Sequence, residues 1–174
     1  GGRKMALSFH AGFEGGGLEE FNGSVGTLTV GTDHAHTGRY GAYSTGAGDT
    51  FRVYRNVPQI KRVSGWFKYI AADASTALLI GADHTLNVRI NTDRKLCLYD
   101  ENTLKDTGDT VLEIGTWYRI SCATDGTTAK VYLDGNEECS SSDISDTTWE
   151  YFIGWEGFTT VGRGAIDDVA IDTT

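Results

Sequence analysis

The sequence predicts an all-β fold in which two antiparallel sheets pack face to face as a sandwich. The 174 residues include 23 glycines and one proline, and aromatic and β-branched residues recur in short runs, which favours strands joined by tight turns. No helical periodicity extends beyond a turn or two. A chain of this length fits one hydrophobic core, so we expect a single domain over 1–174, with 1–4 as an expression remnant or processing product ahead of Met5.

Twelve strand candidates follow one another along the chain, each a short apolar-polar alternation or aromatic and β-branched cluster bounded by turn residues. In the first half they lie at 5–9, 27–30, 40–44, 51–55, 63–70 and 77–80. In the second half they lie at 86–90, 96–99, 117–123, 129–133, 151–155 and 165–171. Asn, Asp and Gly at 22–24, 91–94, 125–127 and 134–136 predict turns.

Charge and hydropathy exclude several classes of partner. Fifteen basic against twenty-four acidic residues give a net charge of −9, which disfavours binding to nucleic acid phosphates or anionic lipid. No run approaches the roughly 20 apolar residues that span a bilayer, and no secretion signal is visible. We therefore expect neither nucleic acid nor membrane as a partner, and we favour an extracellular or virion-associated location.

The three cysteines do not predict a disulfide. Cys122 and Cys139 lie in neighbouring strand segments. Hairpin register predicts Cys122 beside Lys130 and Cys139 beside Val131, which point to opposite faces of the intervening strand. Reduced cysteines suit folding in a reducing compartment, although later release stays open.

Several motifs resemble those of concanavalin A-like and laminin G-like domains. The Gly-Thr-Trp-Tyr stretch within 113–120, the Asp-Gly at 125–126 and the Val-Tyr-Leu-Asp-Gly at 131–135 are similar to a meander of that superfamily. Residues 63–68 resemble its early strand, and residues 164–169 resemble its closing strand. Residues 13–16 and 36–43 resemble the head of carbohydrate-binding modules and phage-encoded sandwich proteins. The resemblance implies a jelly-roll β-sandwich with adjacent first and last strands, but it names no activity.

The same resemblance implies a structural calcium ion held by Glu14 and Asp167. Period-two alternation places Asp167 on the face of Val169 and Ile171, so it is expected to be a buried acid that needs a cation or several hydrogen bonds. Calcium takes about six to eight oxygen ligands, so backbone carbonyls within 37–40 would have to contribute. The alternative is that Asp167 accepts backbone N–H bonds or pairs with Arg39 without an ion.

No catalytic constellation is evident in the sequence. Glycosidases of this fold resemble one another in an E-x-D-x-x-E strand, which this chain lacks. Its acidic pairs at 19–20, 100–101 and 137–138 are adjacent residues, whose side chains would point to opposite faces of a strand. There is no nucleophile elbow or phosphate loop, and His34 and His36 lack a third metal ligand. We assign no catalytic residue and expect a non-enzyme, although a carboxylate pair from distant strands stays open.

Outward positions of several strands combine aromatic rings with planar polar groups, which suits sugars because a ring covers their C–H face while polar groups bind their hydroxyls. We expect one concave face to gather them, with Trp155 at its rim. The alternative for Trp66 and Trp117 is packing under a covering loop or a third sheet. The predicted ligand-binding residues are Arg52, Tyr54, Trp66, Lys68, Asn87, Arg89, Trp117, Arg119 and Trp155.

Two functions are consistent with this pattern. The first is a non-catalytic, lectin-like domain that binds a glycan on the concave face. The alternative is a structural, decoration or fibre protein of a phage virion, in which the same face contacts a virion or host-surface protein. Glycoside hydrolase or lyase activity is the weakest hypothesis because the carboxylate motif is lacking, and self-association stays open.

Overall fold

The computed structural model describes residues 7–44, 51–55, 60–71, 77–81, 85–145, 152–157 and 163–173. Within these ranges the secondary structure consists of strands, which confirms the all-β prediction, and no helix has the length and apolar character that a membrane span requires. In chain order the strands are β1 (Leu7–Ala11), β2 (Gly23–Gly26), β3 (Thr29–Gly31), β4 (Gly41–Ser44), β5 (Phe51–Tyr54), β6 (Arg62–Ala71), β7 (Ala77–Ile80), β8 (Leu86–Ile90), β9 (Leu96–Asp100), β10 (Thr103–Thr107), β11 (Trp117–Thr124), β12 (Ala129–Leu133), β13 (Asn136–Ser141), β14 (Phe152–Gly157) and β15 (Arg163–Asp172).

The strands form two antiparallel sheets. Sheet A has the order β13-β12-β11-β6-β15-β4-β3, and β1 also pairs with β15. Sheet B has the order β10-β9-β8-β7-β14-β5-β2. The pairing of β1 with β15 confirms that the first and last strands of the sandwich lie side by side.

The hydrophobic core lies between the two sheets. Alternate residues of each strand point inward, so Phe67, Ile120 and Val131 enter the core from sheet A while Val88 and Leu98 enter from sheet B. Each of these side chains is at most 2% exposed. The outer faces of both sheets are thereby left to the remaining residues of each strand.

All twelve predicted strands are present, and three further strands of the described ranges escaped prediction. They are β2, β10 and β13, which stand at the ends of the two sheets. Edge strands avoid long apolar stretches because these would pair with other chains, and β10 and β13 are accordingly rich in polar residues. The turn predicted at 22–24 is wrong, because Gly23 begins β2 and pairs with Tyr54 of β5.

Cys122 and Cys139 flank the same residue, Val131, from β11 and β13. The predicted pairing of Cys122 with Lys130 is wrong by one residue, because β11 and β12 are joined by the four residues 125–128. Both thiols face the core, but β12 separates them by two strand spacings, or about 9–10 Å. That distance exceeds the reach of a disulfide, and Cys97, Cys122 and Cys139 are all free and buried.

Candidate functional site

The predicted ligand-binding residues lie on two different sheets. Trp66 and Lys68 of β6 and Trp117 and Arg119 of β11 belong to sheet A. Arg52 and Tyr54 of β5 and Asn87 and Arg89 of β8 belong to sheet B. The outer faces of two packed sheets point away from each other, so the expectation of one shared face is wrong. Trp155 lies in β14 of sheet B, and its side chain is outside the described residues.

Strand register brings four of these residues together on the outer face of sheet A. Trp117 pairs with Lys68, and Arg119 pairs with Trp66. Cross-strand partners share a face, and the alternate residues of β6, such as Phe67, fill the core. All four outward side chains are partly buried. The sequence alternation therefore predicted this local grouping correctly.

The loop at 32–40, which joins β3 to β4, lies over this outer face. The ring of His36 stacks on Trp66, with centroids 3.8 Å apart and planes inclined by 20°. The same imidazole meets Trp117 edge-on at 5.3 Å. His34 packs edge-on against Tyr43 of β4 at 4.7 Å. The loop thus covers part of the tryptophan surface, as the alternative from the sequence required.

We define the aromatic patch as the partly buried residues that meet on this face of sheet A. Its members are Tyr43, Trp66, Lys68 and Trp117 from the strands, with His34 and His36 from the loop. Arg119 is excluded because its Nη2 donates to Ser64 Oγ at 2.9 Å. Sequence reasoning missed Tyr43 and the role of the histidines, since only the tertiary path of the loop brings them to the tryptophans.

Two charged or titratable groups of the aromatic patch are perturbed by burial. The Lys68 ammonium lies over the ring of Trp117, 4.8 Å from its centroid, and burial lowers the pKa of Lys68. The pKa of His34 is also lowered, first by burial and then by the charge of Lys68, against the opposing effect of Asp33. Both shifts arise first from burial, which disfavours the positively charged form of each group.

The predicted residues on sheet B form a different kind of arrangement. The Arg89 guanidinium lies 4.2 Å from the centroid of the Tyr99 ring, and its Nε donates to Asn87 Oδ1 at 2.7 Å. Asn87 Nδ2 donates to the carbonyls of Thr85 and Glu101. Asn87 is fully buried and Arg89 is 9% exposed. These polar groups satisfy one another, so they stabilise the sheet and offer little surface to a ligand.

Asp167 faces the opposite side of sheet A from the one predicted. A register shift in β15 falls between Asp167 and Ala170, and Asp168 has a φ of 46°. This β-bulge inserts an unpaired residue and reverses the alternation. Asp167 therefore pairs with Trp66 on the outer face, while Val169 and Ile171 are buried in the core. The expectation that the three share a face is wrong.

Two carboxylates fasten the loop to the sandwich, and we call this arrangement the carboxylate clamp, formed by Glu14 and Asp167. Asp167 Oδ2 accepts the N–H groups of His36 at 2.8 Å and Thr37 at 3.1 Å, and its Oδ1 accepts that of Asp168 at 2.8 Å. Glu14 accepts the N–H groups of residues 39 and 40 at 3.0 and 3.3 Å. Burial raises the pKa of Asp167, and the N–H bonds that Asp167 accepts from Thr37, His36 and Asp168 oppose the rise.

The carboxylate clamp does not match the calcium site that the resemblance implies. Glu14 and Asp167 do hold the 36–40 loop, but the loop offers them N–H donors where a calcium ion would need oxygen ligands. Among the described residues, no group of three or more His, Cys, Asp or Glu side chains is placed to hold a metal ion. The arrangement corresponds to the ion-free alternative for Asp167, and the calcium site that the resemblance implies is left to a direct measurement.

Comparisons with known proteins agree with this architecture. A family model described as the concanavalin A-like lectin/glucanases superfamily matches residues 63–173. No curated protein sequence matches the chain significantly.

Three solved structures are similar over nearly the whole chain. The cellulose-induced protein Cip1 is 17% identical with a TM-score of 0.69, covering 96% of this chain and 98% of its own. Domain 4 of AbnA, an extracellular GH43 arabinanase from Geobacillus stearothermophilus solved with arabinotriose, is 20% identical with a TM-score of 0.65, covering 98% and 93%. A Bacillus subtilis protein with a galectin-like fold is 12% identical with a TM-score of 0.67, covering 98% and 97%. At such identities the likeness concerns the fold alone.

Proposed function

The chain belongs to the concanavalin A-like lectin/glucanase superfamily, and on this premise we propose that it is a non-catalytic domain that binds a glycan at the aromatic patch. The observation that carries the proposal is the pairing of Trp117 with Lys68, which brings a partly buried indole into contact with an ammonium. The indole offers a surface to the C–H face of a sugar, and the ammonium offers donors to its oxygens.

The aromatic patch is also held in place before any ligand arrives. Trp66 is fixed by its stack with His36, and the backbone of His36 is fixed by Asp167. A rigid aromatic surface loses little conformational entropy on binding, which favours the recognition of weakly binding neutral surfaces such as sugar rings. The arabinotriose in the structure of the AbnA domain supports a sugar ligand for a domain of this fold.

The two carboxylates of β15 beside the aromatic patch support a non-catalytic role. A glycosidase needs two carboxyl groups that face the scissile bond as acid and nucleophile or base. Asp167 is completely buried, and its oxygens accept three backbone N–H groups. Asp168 accepts the Thr37 hydroxyl at 2.6 Å. Both side chains are occupied in holding the loop.

The proposal is tested by titrating soluble polysaccharides into the protein and following tryptophan fluorescence and the heat of binding. We expect at least one polysaccharide to bind, and we expect Trp117→Ala to weaken that binding by about fivefold or more, since stacking contributes about 1 kcal/mol. Tyr132→Ala is the matched control, because Tyr132 is a partly buried ring in β12 of sheet A that contacts Arg62 outside the patch. Binding that survives Trp117→Ala, or a panel in which nothing binds, would overturn the proposal.

A further inference from the structure

Lys68 is a partly buried ammonium without an anionic partner in the described part of the chain. Its contact is the ring of Trp117, and the pKa of Lys68 is lowered by burial alone. Two other lysines of the sandwich are paired: Lys105 lies 3.1 Å from Asp143, and Lys130 lies 2.6 Å from Glu137. A partly desolvated charge without an anionic partner costs stability, so an external anion on the proposed ligand-binding face would stabilise Lys68.

The imidazole of His34 also lies near Lys68. The ammonium is close enough to His34 to lower the pKa of that imidazole. His34 Nδ1 is shielded from solvent and has no hydrogen-bond partner among the described residues. The nearest opposing charge on His34 comes from Asp33, which is exposed. In a chain with a net charge of −9, Lys68 supplies positive charge at this corner, and the Asp168 carboxylate that lies 3.9 Å from His36 Nδ1 already accepts the Thr37 hydroxyl.

We infer that the aromatic patch takes an acidic sugar, with the sugar ring against Trp117 and its carboxylate or sulfate group at Lys68. This inference rests on the proposed glycan binding and specifies its substrate class. An ammonium-to-oxyanion contact is a charge-assisted hydrogen bond, and the poorly solvated surroundings of Lys68 strengthen it relative to open water. An anion at this position also offsets the partial desolvation of the Lys68 ammonium.

The test compares four polysaccharides by calorimetry: polygalacturonate, the same polymer after reduction of its carboxyl groups, dextran sulfate and unmodified dextran. The two acidic polymers distinguish carboxylate from sulfate recognition, and each has a neutral counterpart. We expect one acidic polymer to bind about tenfold or more tightly than its counterpart, and added salt to weaken its binding.

Two variants of Lys68 make the test specific. Lys68→Met keeps the apolar stem over Trp117 and removes the charge, so it should lose the preference for the acidic polymer. Lys68→Arg keeps the charge and should retain that preference. Equal affinity for charged and neutral polymers, or a preference that persists in Lys68→Met, would overturn the acidic-sugar inference while leaving glycan binding in place. If none of these polymers nor the wider panel binds, both proposals fail.

Discussion

Replacing Asp167 with alanine should destabilise the protein by about 3 kcal/mol. The substitution removes the acceptor of three backbone N–H groups, those of His36, Thr37 and Asp168. A buried donor that loses its partner costs about 1–3 kcal/mol, and the three bonds here are partly buried. We use the lower end of that range because burial raises the pKa of Asp167, so the folded protein already bears a desolvation cost that the substitution removes.

The assay is urea unfolding followed by tryptophan fluorescence, together with a thermal melt. For a domain of 150–250 residues, 1 kcal/mol corresponds to about 2–4 °C, so the Tm should fall by about 6–12 °C. Native fluorescence should also change, because the His36 ring stacks on Trp66 and its backbone is held by Asp167.

Asp109→Ala is the matched control, because Asp109 is exposed and substitutions at such positions usually change stability by no more than about 0.5 kcal/mol. If Asp167→Ala unfolds within about 0.5 kcal/mol of the unaltered protein, the carboxylate does not hold the loop. The reasoning from the three N–H bonds would then be refuted.

Four further predictions concern two glycines, the titration of Asp167, the cysteines and calcium. Gly38→Ala should destabilise the protein more than Gly115→Ala in urea unfolding. Both glycines have positive φ, but a Cβ at Gly38 would collide with the Glu14 carboxylate, whereas a Cβ at Gly115 would meet open space. Equal losses of unfolding free energy would contradict the collision. The folded-state pKa of Asp167 is raised, so the stability that Asp167 contributes is fully present below the ordinary aspartate pKa and is lost as pH rises through the raised value. The unfolding free energy of the protein relative to Asp167→Asn should therefore increase on acidification toward pH 3.8, and a decrease would contradict this prediction. A maleimide reagent should label no cysteine in the native protein and all three in denaturant, since burial raises the pKa of Cys139 to about 12; rapid native labelling would show an exposed thiol. Calcium should leave the Tm unchanged relative to chelator because the carboxylate clamp is complete without it, and a rise of several degrees would instead indicate the calcium site that the resemblance implies.

The strands that face the core were predictable from sequence, and the edge strands were not. In β6, Val63, Phe67 and Tyr69 are all buried, so the alternation that defines this strand also defines its inner face. In β13, Asn136 and Glu137 are exposed, and pairing with β12 is what makes the segment a strand. Propensity carries little information where one neighbouring strand decides the structure.

Assigning strands to sheets required the tertiary structure. Alternation indicates which residues of β6 and β8 point away from the core, but it contains no information on which sheet each strand joins. Trp66 and Arg89 therefore both qualify as outward residues, and only the topology places them on opposite sides of the molecule. Their surroundings differ as well, because Arg89 is hydrogen-bonded to Asn87 within sheet B whereas Trp66 is stacked against His36 of the loop.

The β-bulge at Asp168 connects the stability of the fold to the composition of the aromatic patch. With regular alternation, Asp167 would face the core with Val169, and the outer face of sheet A would lack an acceptor for the N–H groups of His36 and Thr37. The inserted residue turns Asp167 outward beside Trp66, where it holds the loop that carries His36 onto the indole. A single extra residue in the closing strand thus both anchors the loop and builds the patch. Variants that weaken the carboxylate clamp should therefore reduce the proposed glycan affinity, and those that release the loop most should reduce it most.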